Sequence, residues 1–151
     1  MNISSSLEDY LEAIADIGKE NEKVRITDIS RILNVEKSSV NSAVKKLKNL
    51  NLVTHERYED IKLTKLGEKE AREIREKHDT LSRFLSDFLG LPKKEAEKDA
   101  CRIEHVISNE TFRRLSGFIE FISGSPGFDP EKWRLSFEQY LKTGKTGQDI
   151  H

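Results

Sequence analysis

The sequence predicts a mainly α-helical protein with one small β element. Three observations carry that prediction. Apolar residues recur at helical spacing through most of the 151 residues. Only one segment, VTHERYEDIKLT at residues 53–64, alternates in the manner of paired strands. Charge is also partitioned along the chain: residues 1–22 carry one Lys against six acidic residues, 23–69 carry eleven Lys/Arg against six, and 70–151 carry fourteen against fifteen. Net charge is only −1, so a wholesale basic protein is excluded, but a basic middle beside an acidic start suggests a local anion-binding surface.

Composition narrows the class. The chain is 35% charged and 35% hydrophobic, with a mean hydropathy of −0.66. Its length suits one domain or two small ones with a core of their own. No apolar run approaches the ~18 residues of a membrane span, and MNISSSLEDYLEAIADIG lacks the basic start and apolar centre of a signal peptide. A single cysteine excludes an internal disulfide framework and makes a reducing cytoplasm the expected compartment.

Each element follows from local pattern. Leu7, Leu11, Ile14, Ala15 and Ile17 predict a first helix over 5–18, stopped at Gly18. Thr27 reads as the N-cap of a second, with Ile29, Ile32 and Leu33 facing inward. After a break at Asn34-Val35-Glu36, KSSVNSAVKKLKNLNLV predicts a third helix burying Val40, Val44, Leu47 and Leu50. The alternating segment then forms a hairpin with Glu59-Asp60 at its turn. A long helix follows Leu63-Thr64 to about Leu89, ended by Gly90 and Pro92. PKKEAEKDACRIEHVIS and NETFRRLSGFIEFI predict two more helices, the second capped by Asn109. SGSPGFDP is a turn, EKWRLSFEQYL a last helix, and KTGKTGQDIH a frayed tail.

Helix, short turn, helix and two-strand wing is the winged helix-turn-helix order, in which the second helix of the pair enters a DNA major groove. Its outward face fits that task. Ser38, Ser39, Asn41 and Ser42 are short hydrogen-bonding groups, and Lys45, Lys46 and Lys48 reach toward phosphates. Arg57 and Tyr58 ride on the wing tip. Thr27 and Lys37 complete the candidate DNA-reading set. The competing interpretation is a polar face on a helical bundle.

A second constellation carries chemistry. Cys101, Glu104 and His105 stand at i, i+3 and i+4, on one helical face, with Glu97 a turn earlier. Thiolate, carboxylate and imidazole together suit a first-row transition metal. The alternative is a buried Cys beside a surface Glu-His pair. Asp9 and Glu12, at i and i+3 on the first helix, present two further carboxylates. His78 lies on or beside the apolar stripe of the long helix, where a histidine is often simply a satisfied core residue.

LEDYLEAI, RITDISRILNVEKSSVNSAVKKLKNLNLV, IKLTKLG, EKHDTL and DACRIEHVIS, in that order over about residues 4–122, resemble the diphtheria-toxin-repressor/manganese-transport-regulator family. The resemblance implies a dimeric, metal-activated DNA-binding repressor of manganese or iron homeostasis, binding a palindromic operator. Asp9 and Glu12 match ligand positions of the manganese-sensing branch, where the iron-sensing branch has Met in place of Asp9. Cys101, Glu104 and His105 look instead like the iron branch. His78 matches a histidine shared by both. Glu97 stands where the iron branch has a second-site histidine, and Ser82 where it has a carboxylate. The chain is thus a hybrid. Asp9 favours manganese or iron over softer metals, whereas Cys101 pulls toward iron, cobalt or zinc; the expectation is Mn(II) ahead of Fe(II), one or two per subunit, with Co, Ni, Zn or Cd substituting in vitro. Too few residues follow Ile122 for the SH3-like module of the longer members, so the expected form is the short one.

The expected layout is a winged-helix DNA-binding domain over 1–70, an all-helical dimerisation and metal-sensing domain over 71–142, and a flexible tail over 143–151. Double-stranded operator DNA and a second copy of the chain are the expected partners, with no membrane and no small organic substrate. Two other classes compete. An enzyme would need an open coordination position and a cleft, and neither a Gly-rich phosphate loop nor a nucleophile elbow appears. A winged-helix sensor of a small organic ligand would leave the metal-type residues incidental and its DNA binding indifferent to chelator.

Overall fold

The computed structural model describes residues 3–21, 23–56 and 60–145. The chain divides into two compact units, Met1–Glu76 and Lys77–His151.

The first unit holds α1 (Ser5–Glu20), α2 (Ile26–Leu33), α3 (Lys37–Asn49), β1 (Val53–Thr54), β2 (Lys62–Leu63) and the first part of α4 (Lys65–Arg83). Its core is one apolar cluster in which Leu11 and Ile14 of α1, Ile29 of α2, Val40 and Leu47 of α3, and Leu52, Val53 and Ile61 of the wing are essentially sealed from solvent. This is the winged helix-turn-helix order. The turn between α2 and α3 is set by Asn34, which ends α2 at φ 52°, a left-handed conformation that Asn tolerates better than most residues. The Ser30 hydroxyl pins that turn by donating to the Val35 carbonyl at 2.7 Å. The wing is minimal: antiparallel pairs Val53–Leu63 and Thr54–Lys62. Thr64 joins it to α4. Its hydroxyl donates to the Asn51 carbonyl at 2.6 Å and accepts from the Gly67 N–H at 3.0 Å, capping the helix. Gly67 is required there, since a Cβ would lie 1.9 Å from the Leu52 carbonyl oxygen.

Several local expectations change. Arg25, not Thr27, is the N-cap of α2, and Thr27 sits inside the first turn. Ile32 is 60% exposed rather than inward, because α2 is only eight residues long and Ile29 with Leu33 already occupies its buried stripe. The first helix runs through Gly18 to Glu20.

The second unit holds the end of α4, a π-helical turn (Phe84–Phe88), α5 (Lys93–Ile103), α6 (Asn109–Ser123) and α7 (Pro130–Thr143). Leu81, Leu85, Ala96 and Ala100 form its buried centre, with Phe84, Leu89, Ile103 and Leu115 packed around them. The long helix therefore ends early as an α-helix and widens in its last turn. Phe88 stacks on Phe128 with ring centroids 5.8 Å apart, and the Trp133 indole donates to the Phe88 carbonyl at 3.1 Å, so side chains from the turn between α6 and α7 and from α7 itself pack at the widened end. Ser108, rather than Asn109, caps α6: its hydroxyl accepts from the Thr111 N–H at 3.1 Å. Asp129 caps α7, with Pro130 at the first helical position. Among the described residues no helix is long and apolar enough to cross a membrane.

Candidate metal centre and DNA-reading surface

Glu104 is the centre of the second unit's polar chemistry. It is 4% exposed overall, and its carboxylate is almost wholly withdrawn from water. A carboxylate in such a place is costly unless it is paired or bound to a cation. Two imidazoles meet it: His78 Nδ1 stands 2.8 Å from one oxygen, and His105 Nε2 3.6 Å from the other. Donor atoms of Cys101, Glu104 and His105 all lie within 4.8 Å of one another. Ligands about 2.0–2.3 Å from a common ion sit at comparable mutual separations, and thiolate, carboxylate and imidazole are the donors a first-row divalent metal takes. The residues present fit such an ion.

The local backbone differs from the expected single helix. α5 ends at Ile103, Glu104 is its C-cap with helical dihedrals, and His105 lies just beyond. The three donors still converge, because Glu104 and the following turn continue the helical path far enough to keep the i, i+3, i+4 relation. Glu97, one turn earlier, is exposed, with its carboxylate 4.0 Å from Lys93 Nζ; it is outside the Cys101–Glu104–His105 group.

Asp9 and Glu12 belong to α1 in the first unit. Asp9 is exposed and Glu12 half-buried, with Arg75 Nε 4.0 Å from Glu12 Oε1. Arg75 also bonds Asp16, one turn beyond Glu12. The sequence pattern singles out neither Asp16 nor Arg75, since an ion pair between residues 59 apart leaves no local signal.

In the first unit, α3 presents Lys37, Ser38, Ser39, Asn41, Ser42, Lys45 and Lys46 to solvent, and Thr27 of α2 is exposed as well. Asn41 donates to the Lys37 carbonyl at 3.0 Å. Lys48 is differently engaged: its ammonium donates to the His55 carbonyl and to Glu56, both at 2.9 Å, and ties α3 to the wing. Arg57 and Tyr58, and Glu59 of the expected turn, lie outside the described residues. Two serines join this surface without having been expected there. Ser4 and Ser6, at the start of α1, line a groove of about 450 Å³ with Ser38, Ser39, Ser42 and Lys46. The SSS run at residues 4–6 is the one sequence signal that points to them.

Fold and site together define a winged-helix DNA-binding regulator with a donor cluster fit for a divalent metal. Residues 2–61 match the iron-dependent repressor N-terminal DNA-binding domain, and residues 64–132 match the iron-dependent repressor metal-binding and dimerisation domain. An HTH-type transcriptional regulator of Methanocaldococcus jannaschii, itself uncharacterised, is 43% identical over 78% of this chain and 95% of its own length. The HTH-type transcriptional regulator MntR of Shouchella clausii is 33% identical over 77% of this chain and 80% of its own. Among solved structures, the manganese regulator SloR superposes with a TM-score of 0.67 at 29% identity, over 80% of this chain and 55% of that one. The chain thus spans about half the length of that structural relative. This protein belongs to the iron-dependent repressor family, and is a metal-responsive DNA-binding regulator of transcription.

Proposed function

We propose that the protein is a homodimeric repressor that binds a palindromic operator when Mn(II) or Fe(II) is bound, and so controls the supply of that metal in the cytoplasm. The observation that carries the reading is the buried Glu104 carboxylate between His78 and His105, with Cys101 in the same cluster. His78, Cys101, Glu104 and His105 are the proposed primary ligands. Asp9 and Glu12 complete the set from α1, and Glu97 serves a second ion. Cys101 is a ligand under this reading rather than a nucleophile, and no enzymatic activity is assigned.

When bound, a divalent ion supplies two positive charges and directional bonds to carboxylate, imidazole and thiolate. The chain's own residues account for the rest. Glu104, Glu12 and Asp9 repel one another when uncompensated, so neutralisation favours the state in which they converge. Lys45 and Lys46 contact phosphate, Ser39 and Ser42 meet base edges, and Ser4 and Ser6, which share a groove with them and Lys46, meet the DNA backbone. Two reading helices in a dimer must match two half-sites together, so fixing their orientation lowers the cost of binding. Linkage makes this reciprocal: DNA raises metal affinity by the factor by which metal raises DNA affinity. Val106, Phe118 and Phe121 are 82%, 44% and 73% exposed, and we assign this apolar surface to the subunit interface.

Fluorescence anisotropy with a duplex from the protein's own promoter tests the proposal. Chelator-treated protein is expected to bind weakly and to recover with Mn(II) or Fe(II). Equal affinity with and without chelator would refute metal activation.

A further inference from the structure

We propose that Arg75 is a positioning residue that competes with the divalent ion for Glu12 and thereby sets the metal concentration at which the protein responds. The inference rests on the reading of Glu12 as a ligand. Glu12 and Asp16 are i, i+4 neighbours on one face of α1, and Arg75 of α4 reaches both. Its Nη2 donates to Asp16 Oδ2, while its Nε stands 4.0 Å from Glu12 Oε1. The Glu12 side chain is only 16% exposed, against 47% for Asp16. The three residues line a groove of about 690 Å³, which gives the guanidinium room to swing.

A guanidinium keeps its charge at any working pH and carries five donors in a fixed fork, so it passes between two carboxylates without a proton being exchanged. Asp16 holds it by a close hydrogen bond; Glu12 shares it at the limit of an ion pair. In the metal-free chain that charge compensates Glu12. Once Glu12 is committed to a dication, the same charge is a like charge beside it. Arg75 therefore opposes metal binding, and Asp16, by drawing Arg75 away from Glu12, favours it. Because Asp16 acts through Arg75, its influence must vanish when Arg75 is neutral. An ion pair that merely braces α1 against α4 would instead alter stability and leave metal affinity alone.

The test is Mn(II) affinity of the full chain without DNA, read from the electron paramagnetic resonance signal of free Mn(II). Arg75→Gln is expected to tighten binding about two- to fivefold, the range a partly exposed ion pair spans. Arg75→Lys should stay near the parent value, because it keeps the charge. Asp16→Asn should weaken binding by a similar factor, and the Asp16→Asn/Arg75→Gln pair should match Arg75→Gln alone. Glu12→Gln is the control on the underlying reading and should weaken binding at least tenfold. If Glu12→Gln binds like the parent, Glu12 is not a ligand and both readings fall. If Glu12→Gln weakens binding while Arg75→Gln and Asp16→Asn leave it unchanged, or shift it in the same direction, Arg75 has no competing role and the ligand assignment survives.

Discussion

Glu104→Gln separates a carboxylate kept for metal from one kept for packing. The substitution preserves shape, removes the charge, and leaves an amide oxygen able to accept from a protonated His78 Nδ1. In the parent, that oxygen is 2.8 Å from the ring in a site where the side chain is 1% exposed. A buried carboxylate carries a desolvation cost that a neutral amide largely avoids, and the amide oxygen keeps the hydrogen bond to the His78 ring, so the chelator-treated variant should melt within a few degrees of the parent. Metal changes the comparison. With Mn(II) held at a hundred times the parent Kd, linkage stabilises the parent by about 2.7 kcal/mol. Even a residue that only hydrogen-bonds to a ligand is worth about 10–100-fold in affinity. Loss of a direct ligand at the upper end of that range, about 100-fold, leaves about 0.4 kcal/mol at the same concentration. At about 2–4 °C per kcal/mol for a chain of this size, the metal-induced rise in Tm should fall from about 5–11 °C to about 1 °C. Differential scanning calorimetry with chelator and with excess Mn(II) measures both. An undiminished rise in Glu104→Gln would show that Glu104 is not a ligand. A collapse of the metal-free variant would show that its charge serves the fold through His78.

Three further outcomes follow from other parts of the molecule. Co(II) loading should produce a thiolate-to-metal charge-transfer band that Cys101→Ser abolishes, checked by ultraviolet–visible absorption; an unchanged spectrum would remove Cys101 from the ligand set. Lys45→Ala or Lys46→Ala should each lower the slope of log K against log salt by about 0.9, the value of one phosphate no longer neutralised, without altering metal affinity in the absence of DNA. Gly67→Ala should destabilise the first unit by about 1–3 kcal/mol or more in urea unfolding, because the new methyl group meets the Leu52 carbonyl rather than a flexible side chain.

What the sequence makes legible is what local pattern encodes. The apolar stripes of α1 and α3 are readable because Leu11, Ile14, Val40, Val44 and Leu47 recur at helical spacing, and they are buried. The donor cluster is readable because Cys101, Glu104 and His105 are neighbours in sequence. The misplaced caps have a different origin. Thr27 and Asn109 are good capping residues, but nearby Arg25 and Ser108 hold the boundary positions; only Ser108 supplies a side-chain cap bond, and single-residue helix boundaries turn on such competition. The π-helical turn is invisible in the sequence because Phe84–Phe88 keeps a helical pattern, and its widening involves partners at Phe128 and Trp133 some forty residues later. Helical spacing does not tell the buried Leu81, Leu85 and Phe88 from the exposed Phe118 and Phe121, because which apolar face is covered is decided by packing between elements.

The proposed mixed donor set bears on how a regulator of this kind selects its metal. Intrinsic affinities rise from Mn(II) through Fe(II) to Cu(II) and fall back at Zn(II) while staying above Mn(II), so a site that simply binds tightly would answer to the wrong ion. In the proposed ligand set, a thiolate at Cys101 would strengthen that bias toward softer metals, and hard oxygens at Asp9, Glu12 and Glu104 would work against it by favouring the higher coordination numbers that Mn(II) and Fe(II) accept and tetrahedral Zn(II) does not. Selectivity must then lie in whether coordination recruits all of the carboxylates, not in how strongly the first few ligands bind. A tetrahedral ion satisfied by Cys101, Glu104, His105 and His78 would have no remaining position for Asp9 or Glu12, and would bind without bringing α1 into the ligand set. An ion of higher coordination number would call on those carboxylates as well. On this argument Zn(II) should bind the isolated protein more tightly than Mn(II) yet raise operator affinity less, and the separation between the two should shrink in Asp9→Ala, which removes one of the oxygens that only the larger coordination shell uses. Paired metal titrations and operator anisotropy on both proteins measure it; equal activation of the parent by both ions at saturation would place the selectivity elsewhere.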